Sequence, residues 1–124
     1  MSKNLKRGDV VYVDLRGAEG SEIQKVRPCV VVQNDTGNKH APHTIVVPLT
    51  DDDGTKTLPV HVKVPASELA PGGKDSIAKC EHVRTVDIAA RIGQPHGRLS
   101  EATLARLNRA LAISLGLDES GGAG

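Results

Sequence analysis

A chain of 124 residues supports one hydrophobic core of ordinary domain size and not two. Its 16 basic and 15 acidic residues nearly cancel, which excludes the global positive field of a non-specific nucleic-acid binder; a lone aromatic residue, Tyr12, excludes recognition by bases laid on an aromatic platform. With no Phe or Trp, the core must be built from Val, Leu, Ile and Ala, which favours strands.

Arg7-Gly8-Asp9 introduces a first strand, Val10 to Leu15, in which Val11, Val13 and Leu15 alternate with Val10, Tyr12 and Asp14, as two differently buried faces require. Gly17 to Val26 mixes Gly, Ser, Glu and Lys without periodicity and reads as a long flexible loop of the kind that carries function. Arg27-Pro28 opens a second strand, whose apolar run from Cys29 closes at Asn34-Asp35. A polar stretch to His43 separates it from a third strand, Thr44 to Thr50, in which Pro48, lacking a backbone N–H, predicts an edge position or a bulge. After a polar turn region, Val60, Val62 and Val64 alternate with His61 and Lys63 in a half-exposed strand. A Pro-Gly-Gly loop at Pro71 leads to a further strand from about Ser76 to Val83, and short extended pieces follow from Arg84 to Ile92. Five or six short strands in series predict an antiparallel barrel or curled sheet. The ending differs: Ser100 is a candidate N-cap, and Leu104, Leu107, Leu111 and Leu115 lay one apolar stripe along a helix ending near Gly116, with the barrel as its expected partner. Residues 1–117 thus form one mainly β domain with an α-helix (α+β), and 118–124 a flexible tail.

Cys29 and Cys80, both on predicted strands, are too few and too far apart for a metal cluster and are expected as free core thiols. No apolar core follows the positive charges of the opening seven residues, so no secretory leader is expected. The longest apolar run, about five residues against the roughly 20 of a membrane helix, gives the expectation of a cytoplasmic protein without membrane contact. Phosphate-cradling glycine loops, nucleophile elbows and metal-ligand spacings are all missing, so function must lie in a constellation of side chains.

Three blocks carry a resemblance: Arg-Gly-Asp-Val from Arg7, Arg-Pro-Cys-Val-Val-Val-Gln-Asn-Asp from Arg27 to Asp35, and Arg-Thr-Val-Asp from Arg84 to Asp87. In that order and spacing, across Arg7 to about Leu117, the chain resembles the MazF/PemK family of toxin–antitoxin endoribonucleases. The resemblance implies an SH3-like antiparallel β-barrel with added helices, a homodimer, and metal-independent, sequence-specific cleavage of single-stranded RNA to 2′,3′-cyclic phosphate and 5′-hydroxyl ends, which inhibits translation and growth. It implies no cofactor and no metal. It also implies a cognate antitoxin, whose acidic, disordered tail competes with RNA for the groove.

Arg27 matches the family's catalytic arginine. A planar, permanently charged fork suits stabilisation of the phosphorane charge and is a poor base. Thr50 matches the catalytic threonine or serine, expected to hydrogen-bond a phosphate oxygen or the 2′-hydroxyl. Glu22 matches a glutamate near the active site, against the alternative of a solvated loop charge. Lys79, Glu81 and Ser21 stand where some members have an arginine, an aspartate and a histidine, so an Arg-Asp version of the mechanism does not fit this chain. His82 stands where relatives have glutamine, as a proton shuttle, a base contact or a half-buried histidine. Asn34 and Asp35 read equally as RNA-groove residues or as an Asx-turn ending the second strand. Arg84, Thr85 and Asp87 read as a turn held by side-chain bonds to backbone. His40, His43, His61 and His96 have no companions at metal spacing and read as loop or solvent-face residues.

Two competing functions remain. A gyrase poison of the same fold acts through a C-terminal tryptophan motif, and this chain has no Trp. A plain interaction module needs surface aromatic residues, and Tyr12 sits inside a strand.

Overall fold

The computed structural model describes residues 4–118; the remainder of the expected tail, 119–124, lies outside them. Seven strands form one antiparallel sheet: β1 (Asp9–Asp14), β2 (Val26–Val31), β3 (His43–Asp51), β4 (His61–Val64), β5 (Ser76–Lys79), β6 (Arg84–Asp87) and β7 (Ile92–Arg98). Their order is β4-β5-β3-β2-β1-β7, with β6 added beside β3. Among the described residues, three helices, α1 (Asp35–His40), α2 (Ile88–Arg91) and α3 (Glu101–Ser114), and 3-10 turns at Ala66–Glu68 and Cys80–His82 accompany the strands. None of these helices is long and apolar enough to cross a membrane.

The expected barrel is a strongly curled sheet whose ladder does not close, ending at β4 and β7. A single bridge, Leu69 to Gly97, and a hydrogen bond from Ala70 N to His96 O (2.6 Å) tie the segment after β4 to β7 across the gap. Gly97 is required there. A Cβ would stand 2.4 Å from the Glu68 carbonyl oxygen, and φ is +149°.

Pro48 does not mark an edge or a bulge. β3 is an interior strand whose outer side is shared: β6 pairs with His43 to Val46 and β5 with Leu49 to Asp51. Pro48 falls between those two partners, where no ladder requires its missing N–H, while its other side faces Cys29 of β2.

Strand alternation buries both faces of the sheet. On one, Val10, Val30, Val47, Leu49, Val62, Val64 and Ala78 pack with Leu107, Ala110 and Leu111 of α3. On the other, Val11, Val13, Cys29, Val31, Val46 and Val86 pack with Ile88 and Ile92. Ser100 caps α3, accepting from Thr103 N (3.2 Å), and the helix docks on the sheet as the leucine spacing predicts. The stripe ends earlier than expected, however. Leu115 lies past the last helical turn and is 59% exposed, because Gly116 (φ +73°) turns the chain away from the sheet.

α1 replaces an expected polar connection. It has no apolar stripe and is held by a buried polar network: Asn38 Oδ1 accepts from Thr44 Oγ1 (2.6 Å) and Gln33 Nε2 (3.1 Å), and Asn38 Nδ2 donates to Gln33 O (3.0 Å). Cys29 and Cys80 are free and buried, and burial pushes both thiols up to about 12. Cys80 opens a 3-10 turn instead of lying in a strand, so the expected strand through Val83 stops at Lys79.

Candidate active site

The Cys29–Pro48 pair fixes the register of β2 against β3. Two residues back along β2 lies Arg27, and two residues on along β3 lies Thr50. Side chains alternate with period two, so both belong to the same sheet face at adjoining positions. Arg27 Nη1 donates to the carbonyl of Leu49 (3.1 Å), the residue before Thr50. That bond ties the guanidinium to the end of β3.

Arg27 Nε is buried and has no hydrogen-bond partner among the described residues. Leaving such a donor without a partner costs about 1–3 kcal/mol, so the fold keeps this guanidinium in place at some cost to stability. Arg27 and Thr50 line a cleft of about 470 Å³, shared with Tyr12, Asp51, Lys74 and His96.

A smaller pocket of about 180 Å³ adjoins it along β3, with Pro48 in its wall and Glu22, Glu81, His82 and Arg84 around it. The charges of Arg27 and Arg84 both act on the Cys29 thiol, opposing the larger effect of its burial, so the two guanidinium groups flank this stretch of β2. Arg84 also donates to Leu15 O (3.0 Å), and Arg91 Nη1 donates to Asp14 O (2.8 Å) and Arg16 O (2.9 Å). These bonds pin the root of the loop carrying Glu22. Within the loop, the Glu22 carboxylate accepts from Glu19 N (2.8 Å).

Glu81 sits in the 3-10 turn Cys80–His82, where His61 Nε2 meets its Oε2 at 2.8 Å. Partial burial alone raises a carboxyl, but here the hydrogen bond from His61 and a backbone bond outweigh it, holding Glu81 below the usual range.

The remaining sequence-identified residues lie elsewhere. Asn34 caps α1, accepting from Gly37 N (2.8 Å). Asp35 accepts from Arg7 N (2.7 Å), a bond that holds its carboxyl below the usual range. Neither residue lines the cleft or the pocket. Arg84 to Asp87 forms strand β6 instead of a turn, and Asp87 caps α2 by accepting from Ala90 N (2.8 Å).

Two histidines expected at the surface are not there. His96 is 7% exposed, with its ring 4.7 Å from that of Tyr12 on the cleft wall. The His61 side chain is also 7% exposed and bonded to Glu81. The strand order that carries them inward depends on long-range pairing, of which local sequence holds no trace.

A curled antiparallel sheet backed by a C-terminal helix is the fold this chain shares with the solved MazF toxins. MazF from Deinococcus radiodurans superposes with a TM-score of 0.78 at 22% identity, covering 93% of this chain and 99% of that one. An endoribonuclease in complex with its cognate antitoxin, from a mycobacterial species, superposes with a TM-score of 0.72 at 25% identity, covering 92% and 97%. The model of the PemK-like, MazF-like toxins of type II toxin–antitoxin systems matches residues 6–115. Endoribonuclease MazF of Staphylococcus epidermidis is 40% identical over 114 residues, 92% of this chain and 93% of the relative; that of Staphylococcus saprophyticus is 39% identical over 113, 91% and 92%. This chain therefore belongs to the PemK-like, MazF-like toxin family.

Proposed function

We propose that this chain, an endoribonuclease of a toxin–antitoxin system, cuts single-stranded RNA at short sequence sites by turning a ribose 2′-hydroxyl onto its own phosphodiester. The unpartnered, buried Arg27 Nε beside Thr50 carries this reading. In-line attack by the 2′-oxygen builds negative charge on the non-bridging phosphate oxygens. Arg27 offers a permanently charged guanidinium on the cleft wall, partly desolvated and tied to Leu49 O, to meet such an oxygen, so little reorganisation is needed when the charge develops. Thr50 supplies a hydroxyl at the adjoining strand end, suited to orienting the phosphate or the 2′-hydroxyl. The 2′-oxygen loses a proton, the 5′-oxygen of the leaving strand gains one, and the products are a 2′,3′-cyclic phosphate and a 5′-hydroxyl. RNA brings its own nucleophile, so the protein has to position, stabilise and exchange protons and needs no metal for the attack.

Glu22, Glu81 and His82, in the adjoining pocket, are placed to meet a neighbouring nucleotide or to exchange protons. The protein acts as a homodimer in the cytoplasm, where cutting messages stops translation and growth. An antitoxin with an acidic, disordered segment restrains it by occupying the same groove.

The test is cleavage of a single-stranded RNA library in EDTA by wild type, Arg27→Ala and Thr50→Ala, with both new termini mapped. Wild type is expected to cut in chelator and leave cyclic phosphates. Arg27→Ala is expected to lose about 10²–10³-fold in rate, the effect of removing one preorganised donor to a developing anion. Loss of wild-type cleavage in EDTA, or 3′-hydroxyl products, sinks the mechanism.

A further inference from the structure

The side chain of His61 on β4, opposite Lys79 of β5, is 7% exposed, although every second residue of its strand was expected to face solvent. Both ring nitrogens are engaged. The backbone N–H of Leu58 donates to Nδ1 (3.1 Å), and Nε2 lies 2.8 Å from Glu81 Oε2. A backbone N–H cannot accept, so Nδ1 must carry the lone pair and Nε2 the proton. The imidazole is thereby fixed in one tautomer and donates to the carboxylate.

The turn that bears Glu81 is held from two other sides. Cys80 N donates to Val60 O (3.0 Å), and Ser114 Oγ at the end of α3 donates to Cys80 O (2.8 Å). Backbone and helix set where the turn sits; among the described residues, His61 is the side chain bonded to the Glu81 carboxylate, which also takes a backbone bond from its own residue. Glu81 is 37% exposed and lines the pocket that adjoins Arg27 and Thr50 along β3. With Oε2 taken by His61, the acceptor capacity left to the carboxylate is directed by that bond.

We propose that His61 is a positioning residue for substrate recognition: it holds the Glu81 carboxylate oriented as an acceptor for an N–H group on the edge of an RNA base. The chemistry is restrictive. A carboxylate that is kept ionised accepts and cannot donate, so it favours a base edge bearing an amino or imino hydrogen and disfavours one presenting only acceptors. The same arrangement, in which one group orients a ligating or binding side chain through a hydrogen bond, recurs wherever a binding residue would otherwise sample several rotamers. The inference rests on the RNA-cleaving reading above and adds to it a recognition role for a residue outside the cleft.

Steady-state kinetics on a base-randomised single-stranded RNA set, with wild type, His61→Leu, Glu81→Gln, the double variant and His61→Gln, test it. His61→Leu is expected to raise KM for the preferred sequence about tenfold or more while kcat changes less than about threefold, and to flatten base preference at one position. The double variant should be no worse than Glu81→Gln alone, since His61 acts through that carboxylate. His61→Gln, whose amide N–H reaches the same oxygen, should recover most of the loss. A full additional loss in the Glu81→Gln background, or a fall in kcat with KM unchanged, overturns the proposal.

Nitrogen-15 spectra of the wild-type imidazole give a second measurement that needs neither cleavage nor a folded leucine variant. The Nε2–H tautomer with a slowly exchanging proton is expected, and its protection should be lost in Glu81→Ala, which removes the acceptor. A wild-type ring protonated at Nδ1, or protection unchanged in Glu81→Ala, overturns the positioning role even if RNA is cut. Failure of wild type to cut any RNA, with this protection intact, removes the proposed function and with it the recognition role.

Discussion

Replacing Arg27 with Met separates what the arginine does for the fold from what it does for the reaction. Methionine keeps most of the unbranched stem and its packing. It removes two polar features of opposite sign. Loss of the charge-assisted bond from Nη1 to Leu49 O (3.1 Å) costs about 1.5–3 kcal/mol, while removal of the buried, unpartnered Nε–H relieves about 1–3 kcal/mol. The two nearly cancel, and the stability change is expected within about 1.5 kcal/mol of zero. Arg91→Met is the control: its Nη1 bonds to the carbonyls of both Asp14 and Arg16, and no orphaned donor is relieved when it goes. It is expected to cost about 2 kcal/mol or more, lowering the melting temperature by several degrees in a domain this size. Urea unfolding followed by circular dichroism measures both. RNA cleavage should show the reverse ranking, with Arg27→Met losing about 10²–10³-fold and Arg91→Met far less. If Arg27→Met proves as destabilising as Arg91→Met, the Nε donor is satisfied in the folded protein, and its assignment to a phosphate oxygen fails.

Thr50→Ser keeps the hydroxyl and should stay within about tenfold of wild-type cleavage, whereas the isosteric Thr50→Val should lose about 10²-fold or more in kcat; equal rates for the two would remove the hydroxyl from the mechanism. Gly97→Ala places a methyl 2.4 Å from Glu68 O and 2.8 Å from Leu69 Cα at a φ of +149°, so it should destabilise by more than about 2 kcal/mol in the same urea assay. Cys29 and Cys80 have an ordinary value of 9.0 and are pushed up to about 12 in the folded state. Raised thiols contribute stability that is complete below pH 9 and is lost as pH rises toward 12, because the unfolded chain releases protons the folded chain retains. The slope is about 1.4 kcal/mol per pH unit per thiol, and Cys29→Ala should make the alkaline fall shallower by about that amount. An unchanged slope would show that Cys29 is not the group responsible.

What the sequence discloses follows from how each element is held. β1 and α3 are stabilised by their own apolar period, so the alternation of Val11, Val13 and Leu15 and the spacing of Leu107 and Leu111 point to buried faces before any partner is known. α1 is held by Asn38, Gln33 and Thr44, a polar network of residues five and six apart in the chain, and side-chain bonds of this kind leave no apolar period. β7 reads Ile-Gly-Gln-Pro-His-Gly-Arg, and two glycines and a proline erase the alternation that would have turned His96 inward. The candidate site divides along the same line. Arg27 is proposed from a block whose residue order resembles a family, and Thr50 from the same resemblance further along the chain. The bond from His61 to Glu81 is not legible in this way, because it joins β4 to a turn 20 residues later and exists only through the pairing of β4 with β5. A single register fixes both halves: moving β5 one residue along β4 would carry the turn bearing Glu81 out of line with His61 and leave the carboxylate without that donor. Recognition of a base by Glu81 is therefore coupled to the pairing of the sheet's outermost strand, while phosphate contact at Arg27 depends on the interior β2–β3 pair. Changes at β4 should alter which RNA is cut before they alter whether it is cut.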